Sequence, residues 1–163
     1  MTLADLNALD RQEFVNAVGW VFEHSPWVAE RAWLRRPFGT LDQLHAAMAD
    51  EVARGTQQEQ LNLLRAHPDL GSRAKMTGAS TSEQAGAGLD SLTAVEFARL
   101  QQLNGEYRDK FGFPFLYAVK GSTKHDILQA LEARTQAARE EEFREALRQV
   151  SRIARFRLED TVP

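Results

Sequence analysis

A chain of 163 residues, 43% hydrophobic and without cysteine, reads as one domain over residues 1–163, able to bury a core without disulfides and lacking thiolate metal sites and cysteine nucleophiles. Its 20 Lys+Arg against 23 Asp+Glu leave a net charge of -3, which argues against a nucleic-acid partner. The longest uncharged runs, Phe14 to Phe22 and Phe111 to Val119, are about half of the ~20 residues of a membrane helix, and neither a signal peptide nor a peroxisomal tripeptide is seen, so a cytoplasmic protein with no membrane partner is expected.

Helix punctuation recurs along the chain. Asp10 with Glu13 forms a capping box, and Phe14, Val18 and Phe22 follow at the spacing of one buried face, predicting a helix over Arg11 to Phe22. Ser25-Pro26 opens a short helix with Trp27 and Trp33 or Leu34, which must stop before Pro37. Thr40 with Gln43 caps a third, carrying Leu41, Leu44, Met48 and Val52 to Gly55; Thr56 with Glu59 caps a fourth, carrying Leu61 and Leu64 into His67-Pro68. Between Asp69 and Ser80 the glycines and serines predict a loop, and Ser80 with Glu83 starts a short helix ending near Gly86 and Gly88.

Thr93 with Glu96 opens a long helix through Phe97, Leu100, Leu103 and Tyr107, closed by Gly112. Phe113 to Val119 is apolar but contains Pro114 and has no partner strand in the pattern, so a buried extended segment is expected. Ser122 or Thr123 caps a helix with Ile127, Leu128 and Leu131, and a last helix carries Phe143, Leu147, Val150 and Ala154. The expected fold class is all-α, about eight helices with one buried extended segment, and Arg139 to Glu142 reads as a solvated face.

A few polar residues depart from that pattern. At about 100° per residue, Leu147, Val150 and Ala154 fall within roughly 40° of Phe143, and so does Arg157, whereas Arg144, Arg148, Arg152 and Arg155 lie on the polar side. Either the helix frays and Arg157 snorkels to water, or its guanidinium is buried to meet an anion. No histidine has a helical histidine or cysteine partner, so no metal motif is read. His24, His45 and His125 suit surface or cap roles, while Pro68 forces His67 out of helical geometry at a helix end. Glu83 completes a local capping box, and Gln84 beside it offers a donor and an acceptor together, suited to a ureide or purine-like ring. Spacing by itself stops at His67, Glu83, Gln84 and Arg157 and names no substrate.

Four stretches in order carry a resemblance: His67-Pro-Asp-Leu-Gly71; Ser80-Thr-Ser-Glu-Gln84 through Asp90; Phe111-Gly-Phe-Pro-Phe-Leu-Tyr-Ala-Val-Lys-Gly121; and Ile153-Ala-Arg-Phe-Arg-Leu158. Together they resemble the 2-oxo-4-hydroxy-4-carboxy-5-ureidoimidazoline (OHCU) decarboxylases of urate degradation, over nearly the whole chain. One departure is Ala137, where members of that family often carry asparagine. The resemblance implies an all-helical lyase with no cofactor and no metal, commonly a homodimer, that converts the small-molecule ureide OHCU to (S)-allantoin and carbon dioxide. It implies a catalytic role for His67 and substrate contacts at Pro68, Ser80, Glu83, Gln84 and Arg157; Glu83 is expected to join the catalysis by orienting or sharing the proton that His67 moves. Main-chain groups along Phe115, Leu116, Tyr117, Ala118 and Val119 would form the rest of the pocket wall. Two alternatives stand beside it: a lyase for another ureide, and a non-catalytic helical interaction module anchored by Trp20, Trp27 and Trp33, although core packing is the commoner fate of such residues.

Overall fold

In the computed structural model, which describes residues 1–71 and 78–163, six of the helices start where a side chain takes up a loose first-turn amide. Thr2, Asp10, Thr40, Thr56, Thr93 and Thr123 each accept from the backbone N–H three residues on, at 2.8–3.2 Å. The helices are α1 (Leu3–Ala8), α2 (Arg11–Val18), α3 (Trp27–Trp33), α4 (Leu41–Arg54), α5 (Gln57–Arg65), α6 (Gly78–Gly86), α7 (Ala94–Phe111), α8 (Lys124–Arg134) and α9 (Arg139–Thr161). No strand occurs among the described residues, so the chain is all-α as expected. The additional helix is α1, six residues long, whose one buried side chain, Leu6, leaves no periodic signature.

Several boundaries differ from expectation. The first long helix stops at Val18 and tightens into a 3₁₀ turn over Gly19–Val21, yet Phe22 stays buried. Ser25 does not cap α3; its hydroxyl donates to the Glu23 carbonyl at 2.9 Å, and α3 buries Val28, Ala29 and Ala32. The tryptophans are not core residues: Trp27 and Trp33 are half-buried, and Trp20 is 41% exposed. Trp33 gives its indole N–H to the Leu9 carbonyl at 3.0 Å, the partner a half-buried indole needs. Helix α6 begins two residues before Ser80, which therefore lies within the helix and is not its cap. Most of the loop expected before Ser80, residues 72–77, lies outside the described residues.

The chain falls into two compact units, residues 1–66 with 150–163, and residues 67–149. In the first, α3 packs against α2 and α4, and Phe14, Leu44 and Met48 are completely buried. Each such side chain contributes roughly 1.5–3 kcal/mol relative to exposure. Here Glu59 closes the α5 capping box and also receives both ends of the Arg31 guanidinium, at 3.2 and 2.6 Å. Arg31 chiefly, helped by the Thr56 amide, holds the Glu59 carboxyl down at about 2.

In the second unit Glu96 is held down at about 2 in the same way, by the Lys124 ammonium at 2.7 Å and the Thr93 amide. A carboxyl depressed on folding stabilises the fold above its ordinary pKa near 4.5 and loses that contribution as pH falls toward 2. Urea midpoints taken at decreasing pH should therefore drop between about pH 4.5 and 2, and Glu59→Gln should flatten part of that decline. An unchanged pH dependence in Glu59→Gln would show that the Arg31 pairing does not persist in solution.

The core of the second unit is aromatic. Tyr107 on α7 sits 4.6 Å from Phe111, 5.9 Å from Phe113 and 5.4 Å from Phe115, ring centre to ring centre. Gly112 ends α7 with φ 80, a conformation that suits glycine, and residues 113–119 then run as irregular, largely buried chain, as expected. Glu142 corrects the reading of a solvated face over Arg139 to Glu142: it is 1% exposed, because Tyr107 and Arg134 both reach its carboxylate. Helix α9 accordingly buries Glu142, Ala146 and Gln149, while Phe143 and Leu147 are only half-buried.

Candidate functional site

Helix α5 ends at Arg65 because Pro68 disfavours helical geometry at the residue before it. That leaves His67 in a turn with its side chain 7% exposed, whereas His24 and His125 are exposed and the ring of His45 bonds the Ser151 carbonyl at 2.8 Å. Within the second unit, three side chains pin the chain that follows. Arg108 pairs with Asp69 at 2.8 Å, the Asn104 carboxamide donates to the Leu70 carbonyl at 2.9 Å, and Gly71 donates its N–H to Gln84 Oε1 at 2.8 Å. Gly71 has φ 69, and a Cβ there would stand 2.4 Å from Leu100 Cδ2, so any other residue would be strained at this position.

Ser80, Glu83 and Gln84 lie at helical spacing on α6, with Ser80 and Gln84 buried and Glu83 half-buried. The bond from Gly71 to Gln84 ties this face to the histidine loop. It also changes the part read for Gln84, whose carbonyl oxygen already accepts from the protein backbone. Pro68 is half-buried beside His67.

The segment Phe115 to Val119 is fixed from outside by side chains. Arg134 donates to the Leu116 carbonyl at 2.6 Å, and Gln149 accepts from the Ala118 N–H at 2.9 Å. Among the described residues, the N–H groups of Leu116, Tyr117 and Val119 make no hydrogen bond. Within this segment the Ala118 N–H and the carbonyls of Leu116 and Val119 already have partners in the protein.

In the first unit, Arg157 is buried, 3% exposed, so the fraying alternative does not hold. Nor is its charge uncompensated: Nη1 lies 2.8 Å from the carboxylate of Glu23, itself 2% exposed, and 3.4 Å from the carbonyls of Trp20 and Val21. A buried guanidinium requires such a partner. Glu23 carries no sequence signal, because it follows a 3₁₀ turn where no periodicity applies. Asn104 does carry one. On the wheel that singles out Arg157, it falls within about 60° of Leu100 and Tyr107, a polar residue in the buried stripe of α7.

A hollow of about 230 Å³ opens on the α7 side of the loop, lined by Asp69, Leu70, Gly71, Gln101, Asn104, Gly105 and Arg108; His67 is not part of it. No three His, Cys, Asp or Glu residues among the described ones are arranged to hold a metal ion, and no helix among them is long and apolar enough to cross a membrane.

The sequence profile of the OHCU decarboxylases matches residues 7–159. The chain belongs to the OHCU decarboxylase family. A protein of Halalkalicoccus jeotgali named 2-oxo-4-hydroxy-4-carboxy-5-ureidoimidazoline decarboxylase is 52% identical over 164 residues, covering 100% of this chain and 93% of its own length. One of the same name from Haloferax volcanii is 49% identical, over 97% of this chain and 94% of its own. The crystal structure of an (S)-allantoin synthase superposes with a TM-score of 0.83 at 38% identity, over 99% of this chain and 54% of that one. An OHCU decarboxylase crystallised with (S)-allantoin, at 24% identity and TM-score 0.68 over 81% of this chain and 87% of that one, shares the fold. Family membership sets the pinned His67 loop and the α6 face in the context of a decarboxylase.

Proposed function

We infer that this chain removes carbon dioxide from OHCU to give (S)-allantoin, as a carboxy-lyase of urate degradation. The observation that carries the reading is the family match over residues 7–159, with residues 69–71 beside His67 held by three side chains.

The substrate supplies its own electron sink. Its ring C=N bond adjoins the carbon that bears the carboxylate, so the electron pair released with CO2 delocalises into that bond and no borrowed carrier is required. What the protein must do is hold the carboxylate out of the ring plane, stabilise the enol-like intermediate and deliver a proton to one face of the neighbouring carbon. His67 is the general acid/base on the substrate hydroxyl and the developing oxyanion. Glu83 orients or shares that proton. Gln84, with its oxygen committed to Gly71, holds the loop in place and presents a fixed carboxamide to the ring. Pro68, Ser80 and the main chain of Phe115 to Val119 take the substrate contacts that the family resemblance implies, as does Arg157, a planar cation suited to a carboxylate or ureido oxygen. The protein acts in the cytoplasm as a homodimer, and sedimentation at the mass of a single chain would withdraw the dimer.

The test follows circular dichroism of OHCU made fresh from urate by urate oxidase and hydroxyisourate hydrolase, with and without the protein at neutral pH. A rapid rise of the (S)-allantoin signal over slow racemic decay is the expected result. Decay at the spontaneous rate, with folded protein, would redirect the assignment to another ureide.

A further inference from the structure

One buried charged cluster has no part in the chemistry just described. In the second unit, Glu142 lies 1% exposed against a Tyr107 hydroxyl that donates to it at 2.5 Å and an Arg134 Nε that donates at 2.8 Å; Arg134 Nη2 also contacts the same carboxylate. Burial, reinforced by Glu142, pushes the Tyr107 hydroxyl well above its ordinary range, so the phenol remains a donor at any working pH. The guanidinium is thus aligned from one side, and its remaining edge delivers Nη1 to the Leu116 carbonyl at 2.6 Å while its plane covers the Phe115 ring at 4.5 Å. About two turns further along α9, Gln149 accepts from the Ala118 N–H at 2.9 Å, and its own amide N–H donates to Glu145 at 2.9 Å.

A buried ion pair is a poor way to gain stability, since well-packed apolar residues of similar volume do as well. What it supplies is direction. Residues 113–119 belong to no helix or strand, so no backbone ladder determines which way their peptide groups face. The two side-chain bonds land on consecutive peptides, one by the Leu116 carbonyl and the next by the Ala118 N–H, and leave the N–H groups of Leu116, Tyr117 and Val119 without a hydrogen bond among the described residues.

We propose that Arg134, locked by Glu142 and Tyr107, and Gln149 are positioning residues that orient the main chain of residues 115–119 so that its uncommitted N–H groups meet the oxygens of the anionic ureide. This rests on the decarboxylase reading for its substrate. It does not rest on that reading for its geometry.

The experiment therefore uses two readouts on the full chain: amide hydrogen exchange across residues 115–119, which needs no substrate, and kcat and KM for OHCU. Three variants are compared with wild type. Gln149→Leu releases Ala118 without altering charge. Arg134→Lys keeps a cation beside Glu142 but cannot serve it and Leu116 together. The double variant Arg134→Met with Glu142→Leu replaces the pair by apolar residues, and Gln149→Leu decides the matter should that variant fail to fold. Exchange of the Ala118 amide is expected to accelerate at least tenfold in Gln149→Leu, with helix amides unchanged, and kcat to fall about tenfold in each folded variant with a smaller change in KM. Unchanged exchange over residues 115–119 would overturn the clamp. Faster exchange with wild-type kcat and KM would overturn its role in positioning. Wild type that fails to consume OHCU defeats the decarboxylase reading instead, and exchange still reports whether the clamp exists.

Discussion

Replacing His67 with Asn lowers the enzymatic rate of (S)-allantoin formation by about 100-fold or more, the usual contribution of a positioned general acid/base. The protein should remain folded, because the bonds that hold the loop, Arg108 to Asp69, Asn104 to Leu70 and Gly71 to Gln84, do not involve the imidazole. Far-UV circular dichroism establishes the fold and the allantoin signal the rate. Asparagine retains a side-chain donor of similar reach but cannot exchange a proton near neutrality, so the substitution separates acid/base work from binding. Turnover within a few-fold of wild type in a folded His67→Asn protein would remove His67 from the chemistry and leave Glu83 as the proton carrier.

The second large effect is on stability and lies in the first unit. Glu23→Ala strips the buried carboxylate from Arg157, both side chains being no more than 3% exposed, and is expected to cost about 3–5 kcal/mol, read as a fall in the urea midpoint at unchanged slope. A loss below about 1 kcal/mol would mean that water reaches the guanidinium and that the pair is not buried in solution. Arg157→Lys completes the comparison. It preserves a cation opposite Glu23 while removing the planar fork, so stability should change less than in Glu23→Ala while KM for OHCU rises about tenfold. An Arg157→Lys protein with wild-type KM and kcat would exclude Arg157 as the substrate's anchor and leave it a structural partner of Glu23.

Local rules account for most of what is legible in the amino-acid order. Capping residues act over three positions and buried stripes over four, so Asp10, Thr56, Thr93 and Gly112 mark helix ends, and Phe14, Leu44, Met48 and Leu100 mark buried faces, where the structure has them. The same rules place His67 outside a helix and turn Arg157 inward. They err where a local pattern competes with another contact. Ser25 has the residue type and position of a cap, but the preceding Glu23 carbonyl takes its hydroxyl; Glu142 stands in a charged run, but Tyr107, 35 residues away, and Arg134 on the preceding helix draw it inside. The tryptophans are apolar enough for the core, yet α3 turns Val28, Ala29 and Ala32 inward and leaves Trp27 and Trp33 half-buried.

Short-range chemistry thus dictates the helical class, the positions of most caps and the extended apolar run, and four motifs in order carry the family. Packing in three dimensions settles which charges are compensated and which backbone groups remain uncommitted: that Glu23 faces Arg157, that Gln84 spends its oxygen on Gly71, and that Arg134 and Gln149 take consecutive peptides of residues 115–119. The difference is one of range. A cap or a stripe is settled by neighbours a few residues away, whereas a buried polar group is satisfied by whichever partner the packed chain brings to it, and here those partners lie 13 to 134 residues apart.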